Sequence, residues 1–93
     1  MSALALLTVL DLSTTHLRQE TCDRLNSYQG VIAHKMEYGW LMYVPAEPDD
    51  DVDKDRWPTE LPPIVALARD NGCTYVLFDR NAGTTDRLRT FDW

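Results

Sequence analysis

Two cysteines and two histidines are the side chains of this sequence best suited to bind zinc or to act as a nucleophile pair. They are Cys22, Cys73, His16 and His34. Zinc sites and Cys–His nucleophiles both use these atoms. The spacing supports neither, because the cysteines are far apart and form no Cys-x-x-Cys motif. We therefore expect buried thiols, no catalytic residue, no metal site and no cofactor.

The spacing of four acidic residues partly matches that of a calcium-binding loop. Positions 1, 3, 5 and 12 of an EF-hand loop would be filled by Asp49, Asp51, Asp53 and Glu60. The match is partial, because Lys54 stands where the sharp turn needs glycine and Pro58 falls at position 10. Calcium binding stays a minor alternative.

Acidic residues are concentrated in one segment of the chain. Between Glu47 and Glu60 there are seven acids and two bases, a balance of -5 out of a net charge of -6. The other residues carry eight acids and seven bases. Phosphate contacts need Lys and Arg, so this segment argues against nucleic-acid binding and favours a basic protein partner.

The acidic segment has two interpretations, a solvated loop that keeps the protein soluble or an anionic recognition surface. In an extended chain, alternate aspartates project to one side about 6.6 Å apart and resemble a row of phosphates. Trp57 follows directly beside Arg56, and both residue types are enriched as interface anchors. The predicted partner-binding residues are Glu47, Asp49, Asp50, Asp51, Asp53, Asp55 and Trp57.

The length of 93 residues and the 44% hydrophobic content predict a single α+β domain spanning residues 1–93, with an exposed acidic loop at 46–60. The apolar run Ala3–Leu10 is too short to span a bilayer and lacks the flanks of a signal peptide. We expect a cytoplasmic protein without membrane contact.

The apolar pattern predicts two helices and five strands. Ala3–Asp11 is expected to be a strand buried on both faces, and the hydroxyls of 13–15 to cap a helix that ends at Gly30. Val31–Glu37 and Trp40–Val44 should form a hairpin around Tyr38-Gly39. The remaining elements are a helix from Pro62 or Pro63 with Leu61, Ile64, Val65 and Ala68 inward and Gly72 at its end, a strand Cys73–Phe78, a turn Asn81–Gly83 and a closing strand Leu88–Trp93.

This order predicts a ferredoxin-like β-α-β-β-α-β(-β) sandwich with a mostly antiparallel sheet, both helices on one face, and the strands near 6 and 76 inside. A sheet with helices on both faces would give much the same pattern, and that alternative stays open.

Several segments together resemble a domain-of-unknown-function family of small bacterial proteins carried on plasmids and integrative elements. The segments are Leu10–Leu17, Gly39–Val44, Leu61–Ile64, Gly72–Arg80 and Phe91–Trp93. The family offers no catalytic residue to transfer. Small acidic proteins of mobile elements often inhibit host defence, as anti-CRISPR and antirestriction proteins do, and the resemblance implies such a role.

Three functional hypotheses follow. The first is a non-enzymatic inhibitor whose acidic loop docks on a host nucleic-acid-handling defence complex, such as a CRISPR surveillance complex. The second is a structural or accessory module for plasmid or element maintenance, which pairs with itself or with another element-encoded protein through a sheet edge or an apolar patch. The third is an enzyme that uses Cys22 or Cys73.

Overall fold

The computed structural model describes residues 6–45 and 57–93. Its helices and strands are β1 (Val9–Leu12), α1 (Gln19–Asp23), β2 (Ala33–Met36), β3 (Gly39–Tyr43), α2 (Leu61–Asp70) and β4 (Tyr75–Asp79). Short 3₁₀ turns at 14–16 and 25–27 flank α1. The protein is a small α+β fold, as predicted.

The four strands form one mixed sheet in the order β1-β4-β3-β2. β1 runs parallel to β4, whereas β3 is antiparallel to both β4 and β2. The ferredoxin-like, mostly antiparallel arrangement is therefore not found. In that arrangement the first strand lies inside the sheet, but here β4 takes an inner position and β1 lies at an edge.

The opening apolar run was expected to be a strand buried on both faces, and the structure corrects this. Strand structure covers only Val9–Leu12, Leu6 and Leu7 are 84% and 63% exposed, and residues 3–5 lie outside the described residues. Among residues 6–45 and 57–93, β1 pairs only with β4, so the described sheet leaves its other edge unpaired. An apolar run alone does not distinguish a central strand from an edge strand.

The first predicted helix is broken into three short pieces. Leu17 is extended at φ -111° and ψ 147°, between the 14–16 turn and α1. The carbonyl oxygen of Leu17 accepts from the Trp93 indole at 2.9 Å, and the N–H of Arg18 donates to Glu60 Oε2 at 2.9 Å. These tertiary bonds take backbone groups that a continuous helix would pair internally. Although the helix is broken, Leu17, Thr21 and Leu25 are all buried.

The hairpin forms where it was predicted, with its turn moved by one residue. Met36 pairs with Gly39, so Glu37 and Tyr38 make the turn and Gly39 belongs to β3. A Cβ atom at Gly39 would collide with the carbonyl oxygen of Phe78 on β4. Close approach of two strands explains the glycine better than turn geometry does.

Helix α2 matches its prediction closely. Leu61, Ile64, Val65 and Ala68 are its buried residues, and two prolines occupy its first turn, where the missing N–H groups have no helical partner. Gly72 has φ +69° and donates to Arg69, while Cys73 donates to Ala68. This pair of bonds is a Schellman motif, which ends the helix and directs the chain into β4.

A single apolar core joins both helices to one face of the sheet. Its sheet residues are Leu12, Trp40, Met42, Val76 and Phe78, and its helical residues include Cys22, Leu61, Ile64, Val65 and Ala68. Both helices therefore lie on the same face, as the predicted sandwich required. Neither helix described is long and apolar enough to cross a membrane.

The predicted closing strand Leu88–Trp93 is not a strand. Residues 88–93 are irregular and pack along residues 13–18, with Phe91 N–H donating to the Thr15 carbonyl at 2.8 Å. The C-terminal segment is thus fixed to the chain that follows β1 and adds nothing to the sheet.

Candidate functional site

Most of the predicted recognition segment lies outside the described residues. This applies to Glu47, Asp49, Asp50, Asp51, Asp53 and Asp55, whereas Trp57 and both flanks of the segment are described. The structure therefore shows how the ends of the acidic segment are attached to the body.

The N-terminal flank is held by α2 and the chain entering β4. The carbonyl oxygen of Pro45 accepts from Arg69 Nε at 3.0 Å and from Nη2 at 2.6 Å. The preceding Val44 donates its N–H to Thr74 at 2.8 Å. A charge-assisted bond from a planar guanidinium fixes this end firmly.

The C-terminal flank is held by Trp57. Its indole is 7% exposed, belongs to the core, and donates Nε1–H to the Gln29 carbonyl at 2.7 Å. The sequence indicated an exposed anchor for a partner, but the structure places this ring inside the protein. Its direct contact with a partner remains a prediction, and its visible role is to fasten the segment.

Glu60 is also part of the folded protein and not of an exposed loop. Its side chain is 3% exposed, Oε2 accepts from Arg18 N–H, and Oε1 lies 3.5 Å from the Arg18 guanidinium. The last ligand of an EF-hand must point a free carboxylate at the ion, so this geometry argues against the calcium loop. Without Glu60, residues 46–56 hold six acids and two bases, a balance of -4.

His16 is a buried hydrogen-bonding residue that the sequence did not reveal. Nδ1 lies 2.7 Å from the Arg89 carbonyl oxygen, and Nε2 accepts from Thr85 N–H at 3.0 Å. A carbonyl can only accept, so Nδ1 carries the proton and the ring is the neutral tautomer. His16 is 1% exposed, and its partners lie 69 and 73 positions away, which no local spacing could indicate.

A cavity of about 230 Å³ lies beside His16, between α2 and the C-terminal segment. Glu60, Arg89 and Phe91 also line it. Both ring nitrogens of His16 are occupied by backbone groups, and Glu60 is bonded to Arg18. The hydrogen-bonding atoms of His16 and Glu60 in this cavity thus already hold the fold together.

The two thiols lie in different surroundings. Burial raises the pKa of Cys22, which Lys35 partly opposes and Asp23 reinforces. A raised pKa keeps the thiol protonated and makes it a poor nucleophile at neutral pH. Cys73 is half-buried. Within residues 6–45 and 57–93, no three His, Cys, Asp or Glu side chains converge on a possible metal position.

The sheet face opposite the core is a surface that the sequence did not indicate. Because strand residues alternate between faces, it carries Val9, Asp11, His34, Met36, Gly39, Leu41, Tyr43, Tyr75, Leu77 and Asp79, together with Ile32 beside Tyr43. Within the described part of the chain, none of these residues belongs to the core or is among the side chains packed against it. We call this surface the open face.

Comparison with known proteins gives a family and no activity. No curated protein and no solved structure matches the chain. The model of a family of unknown function (DUF5983), C-terminal domain, matches residues 9–93, which include every helix and strand described above, and the chain belongs to this family.

Proposed function

We propose that this protein is a non-enzymatic inhibitor that docks its acidic segment, residues 47–55, on the basic surface of a nucleic-acid-handling complex. The observation that carries the proposal is the charge distribution. Residues 46–56 hold -4 of the net charge of -6, while both ends of the segment are bonded to the folded body.

Two fixed ends support a binding role for the segment. A tethered loop keeps its carboxylates near one place on the surface and loses less conformational freedom on binding than a free tail. Six acids over eleven residues create a local negative field that steers a cationic partner. In extended form, alternate aspartates would meet a groove built to hold phosphates.

The state of the described side chains favours binding over catalysis. Cys22 is held in its protonated form by burial, and His16 uses both nitrogens on backbone groups. An enzyme that uses Cys22 would need a thiolate and a free base beside it.

The resemblance to proteins of plasmids and integrative elements supports a host-defence complex as the target, in the manner of anti-CRISPR or antirestriction proteins. A CRISPR surveillance complex has the required basic surface, because it holds nucleic acid in a positively charged channel.

The test is recovery of the target from a bacterial lysate at low and high salt. The loop variant changes Asp49, Asp50, Asp51, Asp53 and Asp55 to Asn. A matched body variant removes the same number of exposed charges elsewhere, through Glu20→Gln, Asp23→Asn, Asp70→Asn, Asp86→Asn and Asp92→Asn. Circular dichroism checks that both variants fold.

We expect the wild type and the body variant to recover a nucleic-acid-handling complex at low salt and to lose it at high salt. The loop variant should recover none. Equal recovery by all three proteins, or binding that salt does not weaken, would contradict the proposal.

The open face favours a second candidate function, an accessory module for element maintenance. Four half-buried apolar side chains, Leu41, Tyr43, Tyr75 and Leu77, occupy its centre outside the core. An element-encoded partner recovered equally well by the wild type and the loop variant would favour this second function.

A further inference from the structure

The open face consists of three cross-strand rows. The first row is Val9, Tyr75, Tyr43 and Ile32, the second is Asp11, Leu77, Leu41 and His34, and the third is Asp79, Gly39 and Met36. Lys35 confirms the assignment of faces, because its ammonium lies 4.9 Å from the centre of the Trp40 ring on the core side. Its neighbour His34 therefore points to the open face.

The composition of the open face is unusual for a surface in water. A sheet with one face on the core normally carries polar residues on the other face. Here the two central strands present Leu41, Tyr43, Tyr75 and Leu77, and the tyrosine rings meet edge to face at 5.9 Å. Ile32 and Met36 at the β2 side are 57% and 44% exposed. Such a continuous apolar patch indicates an interaction surface.

Polar groups lie at opposite ends of the middle row. Asp11 is on the β1 edge and His34 on the β2 edge, with Leu77 and Leu41 between them. A carboxylate accepts a hydrogen bond from an imidazole N–H in either protonation state of the ring. Along the row the groups are therefore an acceptor, two apolar side chains and a donor. If the row of a second copy lies against it in the opposite direction, each acceptor meets a donor.

We propose that the open face binds a second copy of this chain, face to face, about a twofold axis parallel to the strands. This rotation exchanges the two sheet edges, so that Asp11 of one copy meets His34 of the other and apolar rows meet apolar rows. Asp79 then faces Gly39, which has no side chain to oppose it. No residue of this surface belongs to the acidic segment, and the inference does not depend on the proposed function.

Charge selects this axis over the alternative. A twofold axis perpendicular to the strands and through the middle row would place Asp11 against Asp11 in the partner copy, and like charges in close contact are unfavourable. Isologous contact between identical patches is the usual arrangement of homodimers.

The area of the open face limits the affinity of the proposed dimer. Four strands about 4.8 Å apart and about five residues long give a flat area of about 300 Å² per copy. This is well below the roughly 800 Å² per partner of a standard interface, so the dimer should be weak and depend on concentration. Such a weak dimer is best followed at protein concentrations from about 10 μM to 1 mM.

Sedimentation velocity of the whole chain over that range tests the proposal. The wild type should shift from the 10.7 kDa monomer toward twice that mass. The double variant Leu41→Thr, Tyr43→Thr should dissociate about tenfold more readily. Threonine keeps the strand preference, so the sheet should be retained. Leu67→Gln, at a half-buried leucine of α2, is the matched control and should associate like the wild type.

A swap of the two polar groups tests the axis. His34→Asp should weaken association, because two carboxylates then meet. Asp11→His together with His34→Asp restores the pair at the original net charge and should recover the wild-type association. A wild type that stays monomeric at about 1 mM, a face variant that associates normally, or a swap that fails to recover would each overturn the proposal.

Discussion

Gly39 and Gly83 differ in what an added methyl group would meet. At Gly39 a Cβ atom would collide with the Phe78 carbonyl oxygen, while nothing lies within 4 Å of a Cβ at Gly83. We predict that Gly39→Ala lowers the free energy of unfolding by about 3 kcal/mol, because β3 and β4 must separate locally. Gly83→Ala should change it by less than about 0.5 kcal/mol. Urea denaturation measures both, and equal effects would contradict the prediction.

Cys22 should make stability depend on alkaline pH. Its pKa is raised in the folded protein, mainly by burial. An unfolded chain loses this proton at the ordinary cysteine pKa of about 8.5, whereas the folded chain still holds it. The folded state then binds more protons, so stability is retained below that pH and is lost as pH rises toward the folded pKa.

We therefore predict that the stability advantage of the wild type over Cys22→Ala declines as the pH rises above about 8.5. Urea denaturation of both proteins at several pH values gives the difference directly, because other titrating groups are common to both. A difference that stays constant with pH would show that burial of Cys22 does not perturb its titration.

At the scale of elements, the C-terminal segment was predicted to be a strand but instead packs on the chain between β1 and α1. Phe91 N–H and the Trp93 indole donate to carbonyl oxygens of this stretch, and Ser13 N–H donates to Gly83. Arg18 lies 5.0 Å from the centre of the Phe91 ring. His16 joins two points of the segment, the carbonyl of Arg89 and the N–H of Thr85.

We predict that His16→Ala lowers the free energy of unfolding by about 2–4 kcal/mol, because two backbone groups lose their partners in a buried place. Amide hydrogen exchange at Thr85 should become faster in the same variant. His34→Ala, at an exposed position, is the matched control and should change stability by less than about 0.5 kcal/mol. Unchanged exchange at Thr85 would mean that His16 does not hold the segment.

At the scale of the whole molecule, sheet order decides which parts open last. β4 is bonded on both sides, and Val76 and Phe78 are fully buried, while β1 and β2 are the two edge strands of the described sheet. We predict that the slowest-exchanging amides lie in β4 and β3 and that those of β1 exchange faster. Hydrogen exchange followed by NMR measures this order. Protection of β1 equal to that of β4 would instead fit the central position that the apolar run suggested.

The sequence by itself determined the local features of this protein. Helix α2 and its buried face follow from apolar spacing, its start from the prolines at 62 and 63, and its end from Gly72. The hairpin and β4 follow from β-rich runs whose predicted bounds lie within two residues of the observed ones. These signals are local because helix periods, caps and turns depend on residues a few positions apart.

Only the tertiary structure decided the strand order, the breaks around α1, the irregular C-terminal segment and the inward roles of His16, Trp57 and Glu60. Each depends on contacts between distant residues, such as Arg18 with Glu60 across 42 positions and His16 with Arg89 across 73. The type of a residue determines which environment it requires, such as an apolar core for a leucine or a hydrogen-bond donor for a buried carboxylate. Which distant group supplies that environment is fixed only when the whole chain packs.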